Sequence, residues 1–375
     1  MDALSVISSI ISLVLGALLG QLVSYWAENL KKKKIKKRNT DSLAQIPQYD
    51  PLDNEIVVVR RWNSIDRLDD GKTKIIFDEE RVYDSITPSI DCPYISMPDE
   101  WKRIYAEELQ KEKKRTGIVS YVTAISLDHK DTKRGNSLEL KVSSCDYLAH
   151  HVNSKYFAKY PEDWKKIKEV IQKGDFDEYF LQAMPGNVFV NFIVINGQTN
   201  RVLAIKRSSQ ELNARNIWGL SGFETMNDVA NLAHGSEELK LEGIVYRGLL
   251  EELTLKKNEI SQVEISSLSF VKHLGFMVTA LVRIDLQSSE DNSNALTEGK
   301  LIERILSRCE SGYEHVGFKW LPIQLKDMKE YIERGTGYYQ DVIQLSNNKE
   351  ERWIGYAKLQ MYEIWRNHEC IDLVL

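Results

Sequence analysis

The chain has 375 residues, 42% hydrophobic and 28% charged, with 8 Pro, 20 Gly and a formal net charge of −5. That composition excludes disordered, collagen-like and low-complexity classes. Four scattered cysteines, Cys92, Cys145, Cys309 and Cys370, form no CxxC pair, which argues against a zinc site or a disulfide framework and suits a reducing cytosol.

The first element is apolar. Ala3 to Ala27 are 25 residues without a charge, between Asp2 and Glu28. As a helix they would cover roughly 37 Å, enough to cross a hydrocarbon core of about 30 Å with some tilt. Tyr25 and Trp26 fall at the end, where amphipathic rings prefer the headgroup region. Seven of the eight residues from Lys31 to Arg38 are basic, which predicts a single-pass helix with this flank, and everything after it, in the cytoplasm. A signal peptide would instead begin with a positive n-region, where this chain has Asp2. Setting aside those seven cations, Asp2 and Glu28, the remainder carries a net −10. An acidic soluble part argues against bulk nucleic-acid binding, so the basic run reads as an orientation signal that touches anionic lipid.

Within the span, Ser8, Ser12, Gly16, Gly20 and Ser24 recur at every fourth position, with Gly16 to Gly20 forming a GxxxG motif. Residues four apart share one helix face, and a groove of small side chains lets membrane helices pack closely. The stripe therefore predicts self-association and a homo-oligomer. Small residues are also common in membrane helices, and GxxxG occurs without dimerisation.

The expected organisation is a transmembrane helix at 1–30, a basic stop and polar tether at 31–54, an α+β extension at 55–180, a further domain at 181–335 and a helical segment at 336–375. In the extension, strands are expected at Glu55–Arg60, Lys72–Phe77, Gly117–Ile125 and Leu138–Val142. Helices are expected at Pro98–Arg115, Cys145–His151, Asp163–Lys173 and Asp175–Ala183. From Val188 the pattern sharpens. Val188–Ile195 runs into Asn196-Gly197, a strong hairpin signal, and Arg201–Lys206 returns. A loop through Trp218-Gly219-Leu220-Ser221-Gly222 leads to a helix at Glu238–Leu255, with Leu241, Ile244, Val245, Leu249 and Leu253 near helical spacing. Strands at Glu264–Lys272 and Met277–Asp285 follow, then a polar loop at 288–299 and a helix at Leu301–Cys309. Strand Phe318–Leu321, helix Leu325–Arg334 and a last helix at Glu351–His368 complete an α+β class with a mixed sheet.

The order of hairpin, Trp-x-Leu-x-Gly loop and helix Arg247-Gly248-Leu249-Leu250-Glu251-Glu252-Leu253-Thr254-Leu255 resembles the Nudix hydrolase domain. That family's box reads G-x5-E-x7-R-E-U-x-E-E-x-G-U, with U aliphatic. Gly317-Phe318-Lys319-Trp320-Leu321-Pro322 is similar to the strand-to-helix exit of the same fold. The resemblance covers about residues 185 to 335 and implies a Nudix-like α/β/α sandwich behind the membrane helix and the α+β extension. In that family, glutamates at i, i+3 and i+4 hold Mg²⁺, which clamps a diphosphate and activates water.

This chain departs from the box. Arg247, Leu249, Glu251, Glu252 and Leu255 match, but Gly248 replaces the first glutamate and Thr254 the glycine. Phe223 stands where the opening glycine is expected. The stretch to Arg247 is about ten residues too long, so the upstream glutamate could be Glu224, Glu237, Glu238 or Glu242. Glu251 and Glu252 are the metal-ligand candidates, with Mg²⁺ needed only if hydrolysis is retained. Otherwise they are ordinary helix-surface carboxylates. No catalytic residue and no obligatory cofactor are expected.

A damaged Nudix box behind one membrane helix resembles the SMODS-associated Nudix family, membrane effectors of bacterial cyclic-oligonucleotide antiphage signalling (CBASS). The resemblance implies an inner-membrane protein whose cytoplasmic domain binds a cyclic oligonucleotide made by a functionally linked nucleotidyltransferase. Binding would drive helix assembly, membrane disruption and cell death. Such a ligand needs cations for its phosphates and flat surfaces for its bases, which nominates Arg207, Arg215, Trp218, Phe223 and Lys272, with Glu314 and His315 beside the exit strand. Against these stand simpler roles, Trp218 as core and Arg207 as a surface charge. The rival functions are a membrane-tethered Nudix hydrolase of nucleoside diphosphate derivatives and a constitutive scaffold.

Overall fold

A run of nine residues with one polar interruption, Val188-Phe-Val-Asn-Phe-Ile-Val-Ile-Asn196, has no alternation to give one face to water, and such a strand belongs inside a sheet. The chain obeys. Strand β5 (Asn187–Asn196) is buried on both faces and organises the sheet around itself. The computed structural model describes residues 56–62, 73–77, 97–111, 118–127, 138–173, 187–207, 217–225, 241–272, 275–287, 296–308, 315–334, 337–339, 352–353 and 357–368, all within the unit Pro51–Leu375. The predicted membrane span with its stripe of Ser8, Ser12, Gly16, Gly20 and Ser24 lies outside the described residues. So do the basic stop, the tether, the predicted helix Asp175–Ala183, and Arg215. Among the described residues no helix is long and apolar enough to cross a membrane.

The class is α+β with a mixed sheet, twelve strands among the described residues. The first four are β1 (Ile56–Arg61), β2 (Thr73–Phe77), β3 (Ile118–Leu127) and β4 (Leu138–Asp146). After β5 come β6 (Arg201–Arg207), β7 (Ile217–Leu220), β8 (Gly222–Thr225), β9 (Ile260–Val271) and β10 (Gly275–Ile284). Strands β11 (His315–Pro322) and β12 (Arg352–Trp353) close the set. The main path runs β1-β9-β10-β5-β3-β4-β2, with β10 parallel to β5 and β2 parallel to β4.

The extension and the hairpin region share this sheet. Strand β1 lies antiparallel to β9, and β3 meets β5 at Tyr121 and Asn187. Helices α1 (Asp99–Lys111), α2 (Tyr147–Lys159) and α3 (Pro161–Lys173) bring Trp101, Tyr105, Phe157 and Trp164 into one core with Phe270 and Phe276. Trp164 stacks on Phe270 at 5.9 Å between centroids. On α1, Glu108 is 5% exposed, and hydrogen bonds from Lys111 and Lys155 hold its carboxyl down to about 2.

In the same core, α4 (Leu241–Leu253) buries Leu241, Ile244, Val245, Leu249 and Leu253, the stripe its spacing predicts. Helices α5 (Glu298–Arg308) and α6 (Leu325–Arg334) flank the sheet, and α7 (Ala357–Asn367) ends the described chain. The predicted helix Cys145–His151 runs instead over Tyr147–Lys159, and the predicted last helix Glu351–His368 is confined to Ala357–Asn367, because Arg352–Trp353 is strand, parallel to β7. A third prediction is also corrected. The expected loop Trp218–Gly222 is two short strands, β7 and β8, hinged at Ser221, whose φ is +57.

The face of the sheet under α7 is unusual for a core. Register aligns Arg61 with Ser267, Ser267 with Thr279, and Thr279 with Asn191, across β1, β9, β10 and β5. Ser267, Ser269, Thr279 and Asn191 are each 1% exposed or less. Among the described residues, the hydroxyls of Ser267, Ser269 and Thr279 and the Nδ2 of Asn191 meet no hydrogen-bond partner. Helix α7 answers with its own buried polar groups, Gln360, Glu363 and Asn367. Glu363, 0% exposed, accepts from Arg61 Nε at 3.3 Å and from Asn367 Nδ2 at 3.3 Å, while the Arg61 guanidinium lies 4.7 Å over the Tyr362 ring.

Candidate functional site

The site arises because β5 changes partners along one edge. It pairs with β8 from Phe189 to Phe192 and with β6 at Ile195 and Asn196. Strand β6 leaves to pair with β7 and β11, and the sheet forks. Ser221 pins the fork. Its Oγ accepts from Val194 N at 2.7 Å and donates to Leu203 O at 3.0 Å, joining β5 to β6.

A cleft of about 370 Å³, counting its open mouth, occupies the fork. Ile205 and Arg207 of β6 line it, with Ile217 and Gly219 to Phe223 supplying most of one wall. Asn191, Glu252 of α4, His315 of β11 and Gln360 of α7 complete it. Of the sequence candidates, Arg207, Phe223, Glu252 and His315 come together here. The Arg207 guanidinium carbon sits 4.1 Å over the Phe223 ring, a cation on an aromatic face. Glu252 Oε2 lies 2.8 Å from His315 Nε2.

The other candidates go elsewhere. Trp218 is 3% exposed, stacks on Trp353 at 6.2 Å and carries Lys319 Nζ at 4.3 Å over its ring. It packs with α6 and α7 and does not line the cleft. Lys272 follows β9, half-buried and away from the cleft. Glu251 is exposed on α4. Glu252 is instead engaged with His315 Nε2 at 2.8 Å, apart from the exposed Glu251. Of the upstream glutamates, Glu224 on β8 accepts from Arg247 Nη2 at 3.5 Å, and Glu242 lies in the first turn of α4. Glu237, Glu238 and Glu314 lie outside the described residues. Among the described residues, no three His, Cys, Asp or Glu gather in a metal-holding group.

Gly248 sits where no side chain fits without displacing its neighbours. A Cβ there would stand 2.7 Å from Glu224 Cβ and 3.0 Å from Phe192 Cε1. One at Gly222 would stand 2.7 Å from Phe192 Cε2. Phe192 is held between two glycines, and α4 has closed onto β8 over it. A longer side chain at 248 would run into β8.

At the other end of α4, Thr254 stands in for the glycine with φ +58. Its N–H returns to Leu250 O at 3.1 Å and that of Leu255 to Leu249 O at 3.0 Å, so the backbone still makes the left-handed exit that glycine favours. A β-branched residue there is strained by about 1–2 kcal/mol. Arg304 Nε donates to its Oγ1 at 3.0 Å. Thr254→Ala loses that bond and keeps the strain, whereas Thr254→Gly loses both. Urea denaturation is therefore expected to find the Gly variant more stable than the Ala variant by about 1 kcal/mol. Equal stabilities would show that no strain is stored.

Three polar cleft residues were missed by sequence reasoning: Asn191, Ser221 and Gln360. Asn191 had a signal, as the lone amide inside an apolar run. Gln360, among Ala357, Leu359, Met361 and Ile364, had a weaker one. Gln360 Oε1 accepts from Leu220 N at 3.1 Å, and its Nε2 donates to Leu220 O and Asn191 Oδ1, both at 2.9 Å.

No family model matches the chain, and no curated protein matches it. Among solved structures it is similar to the DR0079 protein of Deinococcus radiodurans, at 16% identity over 42% of this chain and 80% of that one, with a TM-score of 0.25. At that score the likeness carries no argument.

Proposed function

We propose that the chain is a membrane-anchored effector of CBASS antiphage defence. Its Nudix-like cytoplasmic domain binds a cyclic oligonucleotide without cleaving it, and binding drives the N-terminal helices to assemble, disrupt the inner membrane and kill the cell. The observation that carries the non-hydrolytic half is the closure of α4 onto β8 at Gly248, which occupies the space of the first metal-binding carboxylate. Arg207 over Phe223 supports a nucleotide ligand, since a cation and an aromatic face suit a phosphate beside a base. The assembly half rests on the stripe from Ser8 to Ser24. The ligand comes from a linked nucleotidyltransferase.

The test uses the full chain in detergent with Mg²⁺ and a panel of cyclic di- and trinucleotides. A cyclic nucleotide should raise the melting temperature and be recovered intact by chromatography. Consumption of a linear nucleoside diphosphate derivative, with no cyclic nucleotide bound, would replace this reading with a tethered hydrolase. Restoring the box with Gly248→Glu is expected to yield no Mg²⁺-dependent turnover and to destabilise the fold by about 1–3 kcal/mol, as overpacking does.

A further inference from the structure

Two polar atoms beside the cleft meet nothing among the described residues. Asn191 is 1% and His315 5% exposed, and both line the cleft. Asn191 Nδ2 and His315 Nδ1 are buried without a hydrogen-bond partner. Native folds leave few buried polar atoms unpaired, and those at a cleft mark a missing partner.

The opposite ends of the two side chains fix what each atom offers. Gln360 Nε2 donates to Asn191 Oδ1 at 2.9 Å, which orients the amide and leaves Nδ2 as a donor. The Glu252 carboxylate pairs with His315 Nε2 at 2.8 Å; with Nε2–H as the donor of that bond, Nδ1 is left as an acceptor.

We infer that this donor and acceptor read the edge of a nucleobase, a planar heterocycle that presents one acceptor and one donor, while Arg207 serves the phosphate side. The inference rests on the sensor reading and adds which part of the ligand enters the inner cleft. A phosphate offers acceptors alone. It would satisfy Asn191 but set its charge against the His315 lone pair and the Glu252 carboxylate. A base edge meets both atoms with matched signs, and the ring of Phe223 supplies the flat wall beside it. His315 is a contact residue in this arrangement, whereas Glu252 and Gln360 are positioning residues that hold its tautomer and the Asn191 amide.

Two variants separate base reading from simple packing. His315→Gln keeps a donor for Glu252 but removes the Nδ1 acceptor. Asn191→Asp keeps the acceptor for Gln360 but removes the Nδ2 donor. Binding to the full chain in detergent is measured by calorimetry with cyclic di-AMP, cyclic di-GMP and cyclic UMP-AMP, and with AMP, GMP and UMP. His315→Gln should weaken the best-bound probe by about tenfold or more, the effect of losing one buried hydrogen bond, with little change in melting temperature. Asn191→Asp places a charge in the core, so His315→Gln decides if that variant unfolds. Parental affinity for a cyclic nucleotide in both variants would overturn base reading, leave the sensor reading standing, and assign the two atoms to a bound water. His315-dependent binding of mononucleotides, with no cyclic nucleotide bound, would overturn the sensor reading and keep the base inference. No nucleotide bound by the parent would overturn both.

Discussion

Arg61→Ala is expected to remove about 3 kcal/mol of stability, the lower end of what breaking a buried ion pair costs. The loss comes from the partner left behind. Glu363 is 0% exposed, and without the guanidinium its carboxylate keeps, among the described residues, only the Asn367 amide. Arg61 also covers the Tyr362 ring, so packing between β1 and α7 is lost with the charge. Replacing both partners, Arg61→Met with Glu363→Leu, should recover most of the loss, because no charge then remains buried. Urea denaturation of the two variants measures this. Equal destabilisation by the single and the double replacement would mean that the pair contributes through packing alone.

Gln360→Leu carries the second large effect. It orphans the N–H and C=O of Leu220 and leaves Asn191 Oδ1 unpaired. Three buried groups losing partners at about 1–3 kcal/mol each sets an upper bound. Relaxation of the short strand β7 should hold the observed loss near 3 kcal/mol. Nucleotide affinity should fall more steeply than stability does, because Leu220 and Asn191 both line the cleft. Gln360→Glu, which keeps an acceptor for the Leu220 N–H, is expected to fall between Leu and the parent in both thermal melting and ligand titration. A variant that loses stability but binds as the parent does would confine Gln360 to holding α7.

Much of the framework was legible because it follows from local pattern. The continuous apolar run of β5, the Asn196-Gly197 turn and the stripe of α4 each have one physical solution. Leu325–Arg334 was legible to the residue. Strands β7 and β8 were not, since Trp-Gly-Leu-Ser-Gly reads as a turn. What makes it strand is long-range, the hydroxyl of Ser221 bonding β5 and β6 at once. The candidate site was half legible. Arg207, Phe223, Glu252 and His315 lie near the recognisable helix and exit strand. Gln360 reaches the cleft from 140 residues beyond its partner Leu220, and no local pattern carries such a contact. Trp218 shows the opposite failure, where a residue of suitable chemistry is spent on packing against Trp353.

The polar seam beneath α7 has a dynamic consequence. An oily interface resists opening because wetted hydrocarbon gains nothing from water, whereas here entering water finds the hydroxyls of Ser267, Ser269 and Thr279 and the Asn191 amide already waiting for bonds. Once its bonds to Arg61 and Leu220 are broken, helix α7 can lift as a unit without melting the sheet below. Native-state amide exchange should show Ala357–Asn367 opening together, at a lower free energy than the strand β10 that it covers.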